Sequence, residues 1–198
     1  LLIPVHLPPS ISHGRGLPGG LIHPEETAEQ AIQRIVRDKT GIELSSAIWL
    51  EQLQAFTRVD RDPRGRVVSL AHIGVLPPAL FDPAALKNGA QWSLVRGIKA
   101  LAYDHKEIMD VAEERLRAKM AYTAIARFLL PKTFTLSDLQ SCYEQLLGQP
   151  LDRRNFRKRI VTLGVLEETG KYVHGSHRPA MLYRFARKVS QVVPMLVG

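Results

Sequence analysis

The last third of the chain carries two short helical patterns followed by two strand-like runs, and this order restricts the fold more than any other feature of the sequence. Side chains suited to helix N-caps stand at Thr135 and Asp152, and glycines suited to helix ends stand at Gly148 and Gly164. Residues 165–185 then form two short strand-like runs on either side of a turn that contains glycine. Helix, turn, helix and hairpin in this order predict a winged helix-turn-helix.

The second of these helices contains a strongly basic stretch, RRNFRKR at residues 153–159. Phe156 and Ile160 lie on its predicted buried side, which leaves the charged residues on or beside its outer side. Arg can bond guanine and Asn can bond adenine through paired hydrogen bonds, and any cation can neutralise a phosphate. A solvated cationic surface is the alternative, but the position between a capped helix and a hairpin favours contact with double-stranded DNA. The predicted DNA contacts are Arg153, Arg154, Asn155, Arg157 and Lys158 in the helix, and Lys171, His177 and Arg178 in the hairpin.

The positive charge of the chain is concentrated in the same region. The formal net charge is +8, and residues 131–198 supply six of these charges because they contain 11 Lys and Arg against 5 Asp and Glu. Residues 1–103 carry a net charge of +2, and residues 104–130 are balanced. A basic region confined to one third of a chain indicates a polyanionic partner, and nucleic acid is the first candidate.

The first two thirds of the chain mix helical and strand-like patterns. A helix is predicted to begin near Pro24, with Thr27 and Gln30 spaced as a capping box, and to stop at Gly41. Apolar and β-branched residues predict strands at 47–56 and 66–77, separated by a charged turn.

A long helix is predicted over residues 104–129, because Asp104 is placed as an N-cap and Pro131 breaks the pattern beyond its end. We place a domain boundary at the end of this helix. Residues 1–128 are then the first domain, including a linker helix from about residue 104, and residues 129–198 are the DNA-binding domain.

Several classes of protein are excluded by the composition. No apolar run approaches the roughly 20 residues that a membrane helix needs, and no signal-peptide pattern opens the chain, so we expect no membrane association. Cys142 is the single cysteine and cannot form an internal disulfide, and no Cys or His spacing indicates zinc. These features favour the reducing cytoplasm and predict no cofactor.

Residues 17–42, LPGGLIHPEETAEQAIQRIVRDKTGI, resemble a Nudix box, whose pattern is G-x5-E-x7-R-E-U-x-E-E-x-G-U with U a bulky apolar residue. Three positions differ from the pattern. Ile35 stands where the family has the first Glu of R-E-U-x-E-E, Asp38 replaces the second and Lys39 replaces the third. The matching positions are Gly20, Glu26, Arg34, Val36, Gly41 and Ile42.

The three altered positions are spaced i, i+3 and i+4, so they share one side of a helix. The resemblance implies that this side of the helix, in Nudix hydrolases, binds the divalent cations that polarise the pyrophosphate and activate water. Magnesium requires hard oxygen ligands in near-octahedral geometry, whereas Ile35 offers no donor atom and Lys39 places a positive charge where the metal would bind. We therefore expect no catalytic residue, no metal site and no hydrolase activity.

Four further segments, residues 50–72, 104–122, 129–160 and 178–185, closely resemble the Nudix-related transcriptional regulators of the NrtR family. The resemblance implies an α+β chain, in which a Nudix-like α/β/α sandwich is followed by a winged helix-turn-helix. It also implies a repressor of NAD biosynthesis or salvage genes that binds operator DNA as a homodimer. Its catalytically inactive Nudix domain would sense ADP-ribose or a related nucleotide or sugar.

Two other functions stay open, a Nudix pyrophosphatase acting on ADP-ribose and a sugar-responsive regulator of pentose catabolism. In a regulator, the Nudix helix and the charged 57–66 turn are the candidate effector site. Arg side chains in these segments could hold phosphates through charge-assisted hydrogen bonds. An exposed hairpin turn explains the turn arginines equally well, and the helix arginine is also spaced to pair with Glu26. The candidate effector-binding residues are Arg34, Arg61, Arg64 and Arg66.

Overall fold

A computed structural model describes residues 2–5, 14–45, 48–82, 84, 86–173, 179–189 and 193–195 of the chain. The chain divides into two compact units. The first contains Leu1–Gly74 and Phe81–Glu113, and the second contains Val75–Leu80 and Glu114–Gly198. The change of unit after Glu113 therefore lies upstream of the domain boundary predicted between residues 128 and 129. That domain boundary stays a prediction.

Helix α1, Ala28–Thr40, begins and ends where local signals place it. The hydroxyl of Thr27 accepts a hydrogen bond from the Gln30 amide, and the Gln30 side chain accepts one from the Thr27 amide. Gly41 closes the helix in the left-handed conformation, with φ of 78°, which glycine adopts without steric cost. The predicted capping box and the predicted stop at Gly41 are confirmed, whereas the helix begins at Ala28 and not near Pro24.

The strands before α2 form two pairs in the described part of the chain. Strand β1, Leu2–Val5, pairs antiparallel with β4, Gln91–Leu94, and β2, Trp49–Phe56, pairs with β3, Ser69–Val75. Strands β2 and β3 lie within the predicted strand runs, and the charged turn joins them as predicted.

Helix α2, His105–Tyr122, begins in the first unit and ends in the second. Its first part packs against β2 and β3, where Ile108 joins a buried cluster with Leu53 and Phe56. Asp104 immediately precedes this helix, as expected of its N-cap residue, and its carbonyl accepts a hydrogen bond from the Ile108 amide. Its carboxylate binds the guanidinium of Arg61.

Helix α2 ends at Tyr122 and not near residue 129, where its end was expected. The Thr123 hydroxyl donates to the Lys119 carbonyl at 2.7 Å and accepts from the Ile125 amide at 3.3 Å. These bonds end the α-helix at Tyr122, and a separate 3₁₀ turn follows at Ile125–Phe128.

The second unit contains α3, Leu136–Leu147, α4, Arg153–Thr162, β5, Leu166–Val173, and β6, Ala180–Phe185. Strands β5 and β6 pair antiparallel, and Phe134 adds a bridge to Tyr183 on the hairpin. Tyr143 of α3 and Phe156 of α4 are buried, with their ring centroids 5.5 Å apart, and they join the two helices. The predicted order of helix, turn, helix and hairpin is confirmed. None of the helices in the described parts of the chain has the length and apolar character needed to cross a bilayer.

Candidate nucleic-acid interface and effector domain

Helix α4 presents most of its cations to solvent. The Asp152 side chain accepts a hydrogen bond from the Asn155 amide and so fixes the start of the helix. Phe156 and Ile160, 4% and 0% exposed, anchor the opposite side in the core. The predicted contact residues that this leaves exposed are Arg153, Arg154, Asn155 and Lys158.

Arg157 differs from the other predicted contacts because it is half-buried. One of its terminal nitrogens donates to the Ser137 hydroxyl at 3.1 Å, next to the start of α3. Its Nε atom is buried without a hydrogen-bond partner among the described residues. Arg157 therefore lies between α4 and α3, so its predicted DNA contact competes with a role in packing.

Of the three predicted hairpin contacts, Lys171 lies among the described residues. Lys171 is exposed on β5, one residue after Gly170, which turns the strand in the left-handed conformation with φ of 70°. Tyr172, beside it, is also exposed. The other two predicted hairpin contacts, His177 and Arg178, lie outside the described residues.

Arg159 is a residue of α4 to which sequence reasoning gave no role. Its Nε donates to the Met195 carbonyl at 2.8 Å, and its Nη2 donates to the Pro194 carbonyl at 2.5 Å. No local pattern could reveal these contacts, since their acceptors are backbone carbonyls more than 30 residues further along the chain.

In the Nudix-box segment, the altered position 35 is filled by packing. Ile35 is 7% exposed and lies against Gly20, so that a Cβ atom at Gly20 would stand 3.1 Å from its Cγ1. Asp38 is exposed, and its carboxylate forms a weak ion pair with the neighbouring Arg37 at 3.2 Å. Within the described parts of the chain, no three His, Cys, Asp or Glu side chains are grouped so that they could hold a metal ion.

The two charged residues that match the Nudix box bind each other. Arg34 donates through Nε to Glu26 at 2.9 Å and through Nη2 to the other carboxylate oxygen. The same Nη2 reaches the Leu21 carbonyl at 2.9 Å. The Arg34 hydrogen bonds, together with one from the His23 amide, lower the pKa of Glu26 to about 2. Arg34 therefore supports the loop before α1, which is the alternative role expected for it.

Arg61 of the charged turn also has a structural role. Its Nε and Nη2 donate to the two carboxylate oxygens of Asp104 at 2.8 and 2.6 Å, and the side chains are 5% and 1% exposed. A guanidinium committed to a buried carboxylate has no free fork for a phosphate. We therefore assign Arg61 to the fold instead of the effector site.

The other two candidate effector-binding arginines of the turn, Arg64 and Arg66, remain accessible. Arg64 is exposed, pairs with the buried Asp62 at 2.8 Å and lies over the Tyr103 ring at 5.2 Å from its centroid. This pairing lowers the pKa of Asp62 to about 2. Arg66, also exposed, donates to the carbonyls of Thr57 and Arg58 at 2.7 and 3.2 Å. The turn is thus ordered by its own arginines.

Comparison with known proteins identifies both units. Residues 7–110 match the NUDIX domain family, and residues 126–185 match the NrtR DNA-binding winged helix domain family. The chain is therefore a Nudix domain followed by a winged helix domain, which confirms the predicted fold class. It belongs to the NrtR family.

A curated relative from Acinetobacter baylyi, the ADPR responsive transcriptional repressor NtrR, is 35% identical over 86% of this chain and 69% of its own length. The Shewanella oneidensis NrtR structure, solved in complex with a 27mer DNA, aligns with a TM-score of 0.78 and 29% identity over 92% of this chain and 85% of that one. An ADP-ribose pyrophosphatase from Methanocaldococcus jannaschii is 30% identical over 47% of this chain and 53% of its own length. The first two of these relatives match over most of the chain and are named NtrR and NrtR.

Proposed function

We propose that this protein is a DNA-binding transcriptional repressor that senses ADP-ribose through a catalytically inactive Nudix domain. The observation that carries the proposal is the construction of α4, where Phe156 and Ile160 are buried and Arg153, Arg154 and Lys158 project into solvent. A helix held in this way beside a hairpin can enter the major groove, read bases with Arg and Asn, and neutralise phosphates with its other cations. The family of the chain and its likeness to a DNA-bound NrtR support this function.

The proposed DNA contacts are those cations of the winged helix that solvent reaches. Lys171 on the hairpin joins the exposed residues of α4, and Arg157 contributes in addition to its bond with Ser137. A homodimer is the proposed binding form, because two symmetry-related copies of α4 match the two halves of a palindromic operator. Binding to chromosomal operators places the protein in the cytoplasm. By its family, the proposed targets are genes of NAD biosynthesis or salvage.

ADP-ribose is the proposed effector, because the Acinetobacter baylyi relative that matches over 86% of this chain is named as an ADPR responsive repressor. Its pyrophosphate would need cationic donors. Arg64 and Arg66 of the 57–66 turn are the proposed phosphate ligands because both are exposed, Arg64 to 73% despite its pair with Asp62. Arg34 and Arg61 are far less exposed in their pairs with carboxylates, at 26% and 5%. Binding without hydrolysis then makes the metabolite a signal.

The proposed absence of hydrolysis follows from the metal side of α1. Ile35 is packed on Gly20, and Lys39 brings a positive charge to the same side of the helix, so divalent cations lack their oxygen ligands. The competing function is an ADP-ribose pyrophosphatase, as the Methanocaldococcus jannaschii relative is named. Incubation of the purified protein with ADP-ribose and magnesium or manganese separates the two functions. Turnover at roughly 1 per second or faster, the usual enzymatic range, would establish the enzyme.

Selection from a pool of random duplex DNA tests the main proposal without knowledge of the operator. The full-length protein should enrich a palindromic sequence, and that duplex should be released when ADP-ribose is added. NAD and pentose phosphates serve as comparison ligands, and release by a pentose phosphate alone would favour the sugar-responsive regulator. Failure to enrich any sequence at moderate salt would refute specific DNA binding.

A further inference from the structure

A short segment near the end of the described chain is held at both of its ends. We call residues 193–195 the strap. The Val193 amide donates to the carbonyl of Tyr122 at 2.8 Å, and Arg159 donates to the carbonyls of Pro194 and Met195. Three hydrogen bonds therefore tie three consecutive residues to two helices of the second unit.

The side chains of the strap are packed as firmly as those of the core. Val193 is 6% exposed and Met195 is 0% exposed, so the segment is not a loosely placed tail. Arg159 is half-buried and lies in the last turn of α4. Its planar guanidinium carries donors in a fixed fork, which suits two adjacent carbonyls better than a single flexible ammonium would.

The strap joins two elements that matter for DNA recognition. Tyr122 is the last residue of α2, and Arg159 belongs to the helix that carries the proposed base contacts. A base-reading helix must be held to a fraction of an ångström, because its side chains reach defined atoms in the groove. A buried segment bonded to both helices can supply that restraint.

We propose that Arg159 is a positioning residue for DNA recognition, which acts through the strap and not through a contact with phosphate. This inference rests on the proposed DNA-binding function. The cations of α4 then have two roles, contact with DNA and positioning of the helix. The exposed residues Arg153, Arg154 and Lys158 face solvent, whereas Arg159 directs its donors to backbone carbonyls. Loss of the Arg159 fork frees the strap and lets α4 shift in the groove.

The first measurement concerns the strap alone and needs no DNA. Hydrogen–deuterium exchange of peptides that include Val193 is compared among wild type, Arg159→Gln, Arg159→Lys and Lys158→Gln. Both Arg159 variants should lose protection at Val193, because neither side chain reproduces the fork. Lys158→Gln removes the same charge from the adjacent, exposed position and should keep the protection. Unchanged exchange in the Arg159 variants would overturn the structural part of the inference.

The second measurement uses the duplex selected by the wild-type protein, titrated at several salt concentrations. Arg159→Gln and Arg159→Lys should weaken binding to this duplex by about 5–150-fold, the effect of one mismatched base pair, with little change for a scrambled duplex. The slope of log affinity against log salt should stay at the wild-type value. Lys158→Gln, if it removes a phosphate contact, should lower the slope by about 0.9.

A fourth variant tests whether the effect of Arg159 is purely electrostatic. Met195→Ala leaves every charge of α4 in place but removes the buried anchor of the strap, so it should reproduce the loss of specificity seen with Arg159→Gln. A salt slope reduced by about 0.9 in Arg159→Gln would identify Arg159 as a phosphate contact and overturn the inference. So would wild-type affinity in a variant whose Val193 amide exchanges freely. Wild-type protein that selects no duplex at all would instead refute the proposed DNA-binding function, whatever the exchange experiment shows.

Discussion

The guanidinium of Arg61 donates to both carboxylate oxygens of Asp104, at 2.8 and 2.6 Å, and this buried pair joins the charged turn to the first residue before α2. The two residues are 43 positions apart in the chain. A carboxylate expected to cap the helix is thereby used to hold the turn that contains Arg64 and Arg66. The proposed phosphate ligands consequently depend on a bond made in the interior of the unit.

Replacement of Arg61 by Ala should destabilise the first unit strongly. The Asp104 carboxylate would remain buried without its partner, and breaking a buried ion pair from one side costs about 3–5 kcal/mol. Urea unfolding followed by circular dichroism measures this loss. Lys106→Ala, which breaks the exposed pair with Asp110, is the control and should cost only about 0.3–0.5 kcal/mol. Equal losses in the two variants would show that Arg61 and Asp104 contribute no more than a surface pair.

The substitution Ile35→Glu should restore the glutamate of the Nudix-box pattern but should not produce ADP-ribose hydrolysis. The new carboxyl group would lie in the buried space against Gly20, where desolvation raises the pKa of a carboxyl group. We expect a loss of about 3 kcal/mol or more in unfolding free energy at pH 7, and a smaller loss at pH 4, where the group is protonated. Stability measured at both pH values and an ADP-ribose hydrolysis assay test this. Wild-type stability together with new hydrolysis would show an open metal site.

The ion pair of Glu26 and Arg34 should make the Nudix-box loop sensitive to acid. The pKa of Glu26 is lowered to about 2 in the folded protein, below that of the unfolded chain, by the Arg34 hydrogen bonds first and the His23 amide second. Its contribution to stability is therefore complete above the unfolded pKa of about 4.3 and is lost as the pH falls toward 2. Glu26→Gln removes this contribution. The difference in stability between wild type and Glu26→Gln should shrink between pH 6 and pH 2.5, and a constant difference would contradict the assignment.

The parts of the fold that were predictable are those set by neighbouring residues. The starts of α1, α3 and α4 follow from side chains that bond the backbone three residues away, as Thr27, Thr135 and Asp152 do. The partners of Arg61 and Arg159 depend on tertiary contacts across more than 30 residues, and no local pattern encodes them. The end of α2 was missed because the apolar pattern continues past Thr123, whose side chain interrupts the helix.

Arg154→Ala in α4 should weaken operator binding, whereas Arg187→Ala outside that helix should have little effect. Both side chains are exposed, but Arg187 lies beyond β6 and outside the proposed interface. A base-reading Arg should cost about 1–3 kcal/mol and relax the preference at one base pair, and a phosphate-binding Arg should weaken all sequences and lower the salt slope by about 1. Gel-shift titrations at fixed and varied salt distinguish the two. Full binding by Arg154→Ala would exclude this residue from the interface.

Binding of ADP-ribose to the first unit should weaken operator binding by the second unit through helix α2. Helix α2 starts one residue after Asp104, the partner of Arg61 in the 57–66 turn, and it continues into the winged helix unit. Effector bound at Arg64 and Arg66 can therefore act on the start of the helix whose end belongs to the DNA-binding part. In a dimer, half-sites stand about 34–36 Å apart or at multiples of that distance, so a small change in helix orientation is enough to reduce binding. Coupling energies of about 1–3 kcal/mol correspond to a 5–150-fold loss of operator affinity when ADP-ribose binds.

Thermodynamic reciprocity requires the operator duplex to weaken ADP-ribose binding by the same factor. Calorimetric titration of ADP-ribose with and without the selected duplex measures that factor. Equal affinities would mean that ligand binding and DNA binding are independent in this chain, and tighter binding with DNA would make ADP-ribose a corepressor.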